Sequence, residues 1–79
     1  MTIEETLRAV RKTAGLTQQQ LADAVGLSPQ YMNDIELGRR AFPVRLLDRL
    51  PLQIRVAVAS ALADEYETKM IEARAKARP

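Results

Sequence analysis

The sequence predicts an all-α domain, and three observations carry that prediction. Two capping boxes, Thr2 with Glu5 and Thr17 with Gln20, each open a stretch whose apolar residues recur at helical spacing. Each of the three glycines stands where such a stretch must stop. No run of useful length alternates apolar and polar residues, and no Asn-Gly or Asp-Gly hairpin turn occurs.

Helix 1 runs from Thr2 to Ala14, with Ile3, Leu7 and Val10 on one face and Gly15 after it. Helix 2 follows the second capping box and turns Leu21, Ala22 and Val25 inward before Gly26, whose missing Cβ suits a left-handed terminal cap. Leu27 alone separates Gly26 from Ser28, a residue that accepts from the free amides of a new helix, and Pro29 fits the first helical position because no N–H is needed there. Helix 3 then buries Met32 and Ile35 and ends at Gly38. A short fourth helix is expected from Pro43, carrying Val44, Leu46, Leu47 and Leu50. Pro51 interrupts it, since proline disfavours a helical conformation in the residue before it. A fifth helix is expected from about Pro51 to Ala77. Residues 1–50 therefore form a helical core, and residues 51–79 a C-terminal helix of the same domain.

With 79 residues the chain holds one domain, whose stability scales to about 4–12 kcal/mol. It has no histidine, cysteine or tryptophan. Zinc and haem sites lose their usual ligands, and a serine or thiolate nucleophile loses its base or itself, so an enzyme is not expected and no metal or cofactor is implied. No stretch reaches the apolar length of a membrane span, and the opening Thr2-Ile3-Glu4-Glu5 lacks the basic start of a secretory signal, so a cytoplasmic protein is expected. The net charge of +2, from 12 basic and 10 acidic residues, permits a nucleic-acid partner without requiring one.

The pair of short helices around Gly26-Leu27 has the lengths and stop signals of a helix-turn-helix. Residue identities sharpen this. Leu16-Thr17-Gln18-Gln19-Gln20-Leu21-Ala22, then Val25-Gly26-Leu27-Ser28, then Ile35-Glu36-Leu37-Gly38-Arg39-Arg40 closely resemble the phage-repressor-like family of Cro/C1-type, or XRE-type, helix-turn-helix proteins, over about residues 5 to 50. The resemblance implies a five-helix fold like that of the lambda repressor and a dimeric, sequence-specific regulator of transcription that binds double-stranded DNA. It also implies that Gln18 contacts the DNA backbone and steadies the reading helix, that Gln30, Asn33 and Asp34 face base edges, and that Arg11 pairs with Glu36 across helices 1 and 3. Three departures stand out: Pro29 where many members carry a polar reading side chain, Leu37 in place of a frequent asparagine, and a shifted Ala41-Phe42-Pro43 loop.

Periodicity supports the same face. With Met32 and Ile35 inside, positions 29, 30, 33 and 34 fall on the other side of helix 3. Glutamine and asparagine can each bond adenine, aspartate can accept from cytosine N4, and Pro29 can touch a thymine methyl. Gln18, Gln19, Ser28, Tyr31, Arg39 and Arg40 are the candidate phosphate contacts. Plainer roles stand beside these: Gln19 as a wet-surface helix former, Gln20 as a cap, Tyr31 at the core edge, Phe42 as a plug under its loop, and Asp34 as a support for a neighbouring arginine.

From Leu52 to Ala63 only Gln53, Arg55 and Ser60 are polar, so this part of the fifth helix needs cover on more than one side. A homodimer through Leu52, Ile54, Val58, Leu62 and Tyr66 is expected, reading an inverted-repeat operator as a repressor. The alternative is an antitoxin or other partner-binding module whose DNA binding is autoregulatory. Arg74, Lys76 and Arg78 are expected as solvated charges or a supplementary DNA contact. No small-molecule ligand is implied.

Overall fold

The structure, a computed structural model, describes the backbone of residues 1–77 and the side chains through Ala73. The side chains of Arg74, Lys76 and Arg78 thus lie outside the described residues. Helices α1 (Ile3–Thr13), α2 (Gln18–Val25) and α3 (Pro29–Glu36) are followed by a 3-10 helix over Val44–Arg49 and by α4 (Leu52–Ala77). Every described element is helical, as the sequence leads one to expect.

The caps set these boundaries. The Thr2 hydroxyl accepts from Glu5 N at 3.1 Å, and the Glu5 carboxylate accepts in return from Thr2 N. Thr17 and Gln20 repeat the arrangement at 3.0 and 2.9 Å. Ser28 Oγ accepts from Tyr31 N at 3.1 Å with Pro29 in the first turn. Gly26 adopts φ 77°, in the left-handed region, and allows the chain to leave α2 and enter α3 with only three residues between them.

The expected fourth α-helix is instead a 3-10 helix, with Leu46 N bonding Pro43 O and Leu50 N bonding Leu47 O. The seven residues between Pro43 and Pro51 leave little room to extend an α-helical ladder, and the tighter i to i+3 pattern satisfies Val44–Arg49 in less chain. Leu50 takes ψ 144°, the extended conformation a following proline favours.

One core unites the elements. Leu7 of α1, Leu21, Ala22 and Val25 of α2, Met32 and Ile35 of α3, and Ile54 and Val58 of α4 are all fully buried. Phe42, Leu46 and Leu50 close it from the loop and the 3-10 helix, and Phe42 N is tied to Glu4 Oε2 of α1 at 3.2 Å. Helix α1 packs along α4 and against α3, α2 pairs with α3, and the 3-10 helix bridges α2 and α4.

Helix α4 corrects part of the expected dimer interface. Ile54 and Val58 have no exposed surface, because their side of α4 lies against the chain's own core. Leu62 is half-buried against the same core. Leu52, Val56 and Tyr66 are exposed, at 68, 62 and 66%, as are Met70 and Ile71 farther along the helix. The 26 residues of α4 span about 39 Å, so the helix outruns the core, and the longest dimension of the molecule is 50 Å. Among the described residues no helix is long and apolar enough to cross a membrane.

Candidate nucleic-acid interface

Helix α3 has two faces of opposite character. Met32, Ile35 and Glu36 point into the domain, while Ser28, Pro29 and Gln30 are exposed at its N-terminal end and Tyr31, Asn33 and Asp34 are half-buried along its outer side. The face expected from periodicity is therefore assembled: Pro29, Gln30, Asn33 and Asp34 share one side of one short rod. Its leading edge, Ser28-Pro29-Gln30, is the part most open to solvent.

Below that face runs a polar network. Arg11 donates from Nε and Nη2 to the two oxygens of Glu36, at 2.7 and 2.8 Å, and from Nη1 to Leu16 O at 2.7 Å. The implied Arg11–Glu36 pair thus exists, forked and buried, and it clamps α1 to α3 and to the loop entering α2. Gln18, the first residue of α2, extends the network by donating from Nε2 to Glu36 Oε1 and to Asn33 Oδ1, each at 3.1 Å. No buried side-chain nitrogen or oxygen among the described residues lacks a partner.

This network revises the expected role of Gln18. Its Nε2 carries two hydrogens and both are engaged inside the protein, so the side chain retains no donor for a phosphate oxygen. What Gln18 still offers is backbone, and Gln19 offers its backbone beside an exposed side chain: the first amides of a helix have no intrahelical acceptor and favour anions. The side chain of Gln20 is spent on the cap of α2.

Asp34 stands beside two arginines, which is the geometry of one of the two roles the sequence left open. Its two oxygens lie 3.8 Å from Arg39 Nη1 and from Arg40 Nε, while the Arg39 and Arg40 amides bond its carbonyl at 2.8 and 3.3 Å. The Arg40 guanidinium carbon also stands 4.8 Å from the centre of the Tyr31 ring. Tyr31, Asp34, Arg39 and Arg40 therefore form one cluster that gathers two cations beside the C-terminal end of α3. The arginines are solvent-exposed, so these ion pairs orient them more than they stabilise the fold.

Sequence reasoning had Gln18 steadying the reading helix but missed Asn33 as the partner through which it does so, and it missed the stacking of Arg40 on Tyr31. Neither has a local signature, since the partners are 15 and nine positions apart on separate elements. The one available signal was the Arg11–Glu36 pair, which leaves a Glu36 oxygen able to accept a further donor.

Comparison with known proteins points in one direction. A family described as a helix-turn-helix domain matches residues 5–73. The immunity repressor protein of Bacillus phage phi105 is 32% identical over 65 residues, which is 82% of this chain and 45% of that protein. The chain thus spans about half the length of this curated relative. Two crystal structures of the clp gene regulator ClgR from Corynebacterium glutamicum resemble the fold. The first has a TM-score of 0.65 at 27% identity and covers 94% of this chain and 79% of its own. The second has a TM-score of 0.64 at 29% identity and covers 84% and 86%.

Proposed function

The chain belongs to the helix-turn-helix domain family, and from that premise we propose that it is a sequence-specific DNA-binding regulator of transcription, a repressor that binds an inverted-repeat operator as a homodimer. It is a binding protein and carries out no reaction. The observation that carries this reading is the outer face of α3, where Pro29, Gln30, Asn33 and Asp34 line up opposite Met32 and Ile35. An α-helix fits the major groove, and side chains at its N-terminal end reach base edges. Gln30, exposed and free of intramolecular bonds among the described residues, is the principal reader.

Phosphate oxygens are met by the amides at the start of α2, by Gln19, Ser28 and Tyr31, and by Arg39 and Arg40. The name of the phage relative supports repression in particular. The same interface serves an activator if its site lies elsewhere relative to a promoter.

The homodimer rests on α4. Leu52, Val56, Ala59, Ala63, Tyr66 and Met70 follow one another in alternating steps of four and three residues, and all are exposed or half-exposed. That spacing is the seam along which two helices supercoil. Leu62 flanks it. Two copies joined there present their α3 helices to successive major grooves when the half-site centres are about 34 Å apart.

Selection of the purified protein against random duplexes tests the proposal: enriched sites are expected as inverted repeats, and absence of any enrichment refutes it. A second reading, a module that docks another protein and binds DNA for autoregulation, is favoured by the exposed Tyr66 and Ile71 on the distal part of α4. Sedimentation of the isolated chain separates the two, since a defined dimer supports the first and a monomer the second.

A further inference from the structure

We infer that Asn33 meets the duplex with the donor edge of its amide, held in that orientation by a hydrogen-bond relay that starts at Arg11. The inference rests on the DNA-binding reading above and adds to it the polarity of one contact, with Asn33 replacing Gln18 as the donor at the α2–α3 junction.

Donor and acceptor roles propagate along the relay without ambiguity. A guanidinium only donates and an ionised carboxylate only accepts, so the Arg11 fork defines Glu36 as an acceptor. The Gln18 atom 3.1 Å from Glu36 Oε1 must therefore be the amide nitrogen, because the amide oxygen there would set two acceptors against each other. The same nitrogen lies 3.1 Å from the Asn33 amide, so the Asn33 atom facing it must be Oδ1. Neither amide can turn over alone. Turning Gln18 breaks its bond to Glu36, and turning Asn33 sets nitrogen against nitrogen.

Asn33 Nδ2 is left on the other side. It has no hydrogen-bond partner among the described residues, yet no unpartnered side-chain nitrogen or oxygen there is buried, so Nδ2 opens to solvent from the outer side of α3. Its two hydrogens select an acceptor. In the major groove those are guanine N7 and O6, adenine N7 and thymine O4, whereas cytosine presents only a donor. Phosphate oxygens have the same chemistry. The two-bond adenine contact expected from sequence is disfavoured, because it needs Oδ1 as an outward acceptor and Oδ1 is turned inward to Gln18.

The test compares the wild type with Asn33→Asp, Asn33→Ala and Gln18→Ala in duplex selection, followed by affinity measurements at fixed salt. Asn33→Asp keeps an acceptor for Gln18 and replaces the outward donor by an acceptor. Asn33→Ala removes the contact with a residue that favours helix, so a folding failure of the first variant leaves the second informative. Each is expected to weaken binding to the preferred duplex by roughly 5- to 150-fold.

If Nδ2 meets a base, the loss is confined to one base-pair position, Asn33→Asp moves the preference there toward cytosine or adenine, and Gln18→Ala blurs it. If Nδ2 meets a phosphate, the loss is equal on all sequences. Either result supports a donor at Asn33. Wild-type enrichment that both Asn33 variants reproduce with undiminished affinity overturns the inference while leaving the DNA reading intact. If Gln18→Ala alone has no effect on a position that Asn33→Asp alters, the relay is overturned. No enrichment by the wild type overturns the DNA reading and the inference together.

Discussion

Arg11 and Glu36, 25 positions apart, face each other through two hydrogen bonds of 2.7 and 2.8 Å, with side chains 10% and 1% exposed. The pair is satisfied on both sides, since Arg11 also bonds Leu16 O and Glu36 also accepts from Gln18. Removing one member strands the other as a desolvated charge. Arg11→Ala or Glu36→Ala is expected to lower stability by about 3–5 kcal/mol, a large share of what a domain of this size has. The double variant Arg11→Met with Glu36→Leu is expected to recover most of that. Urea unfolding followed by circular dichroism checks it, and double-variant losses that merely add contradict it.

Gly26 is where backbone geometry decides the turn. A Cβ there is strained by φ 77° and stands 3.2 Å from Arg49 Nη1, which donates to Val25 O at the end of α2. Gly26→Ala is expected to cost about 1–2 kcal/mol. For a domain this small, that corresponds to a fall in Tm of roughly 4–16 °C, readable in a thermal melt.

The two sides of α4 are expected to respond differently to charge. Val58→Asp places a carboxylate in the fully buried core and is expected to abolish the cooperative melt. Val56→Glu alters an exposed position of the seam and is expected to leave helicity unchanged while shifting sedimentation from dimer to monomer. A folded Val58→Asp protein, or a Val56→Glu dimer as tight as the wild type, is incompatible with the assignment.

Reading and anchoring residues are expected to separate under mutation. Gln30→Ala removes a base contact and relaxes preference by about 1–3 kcal/mol at one position. Arg39→Ala weakens binding on preferred and random duplexes alike and reduces the slope of log K against log salt by about 1. Titrations at several salt concentrations distinguish these outcomes, and identical behaviour of the two variants defeats the division of roles.

The helices were legible because their ends are written in local chemistry. Thr2 with Glu5, Thr17 with Gln20, and Ser28 with Pro29 each satisfy free amides within one turn of the residues that supply the bond, so neighbours in sequence suffice to recognise them. The segment after Pro43 was less legible. Its apolar residues suit an α-helix and a 3-10 helix equally, and the choice depended on how little chain lay before Pro51.

Local spacing alone settled that the chain is helical, where α1, α2 and α3 begin and end, and which side of α3 faces outward, because these follow from a 3.6-residue period and from caps. Packing settled the rest. A helix apolar around most of its circumference carries no mark of which side meets the core, and the rotation that buries Ile54 and Val58 while exposing Leu52 and Val56 is set by the shape of α1 and the 3-10 helix against it. The side chain of Gln18 likewise reads as a surface donor until α1 and α3 bring Arg11, Glu36 and Asn33 around it. Hydrogen-bond roles are exchanged between atoms that only the folded chain brings within 3 Å or so of one another.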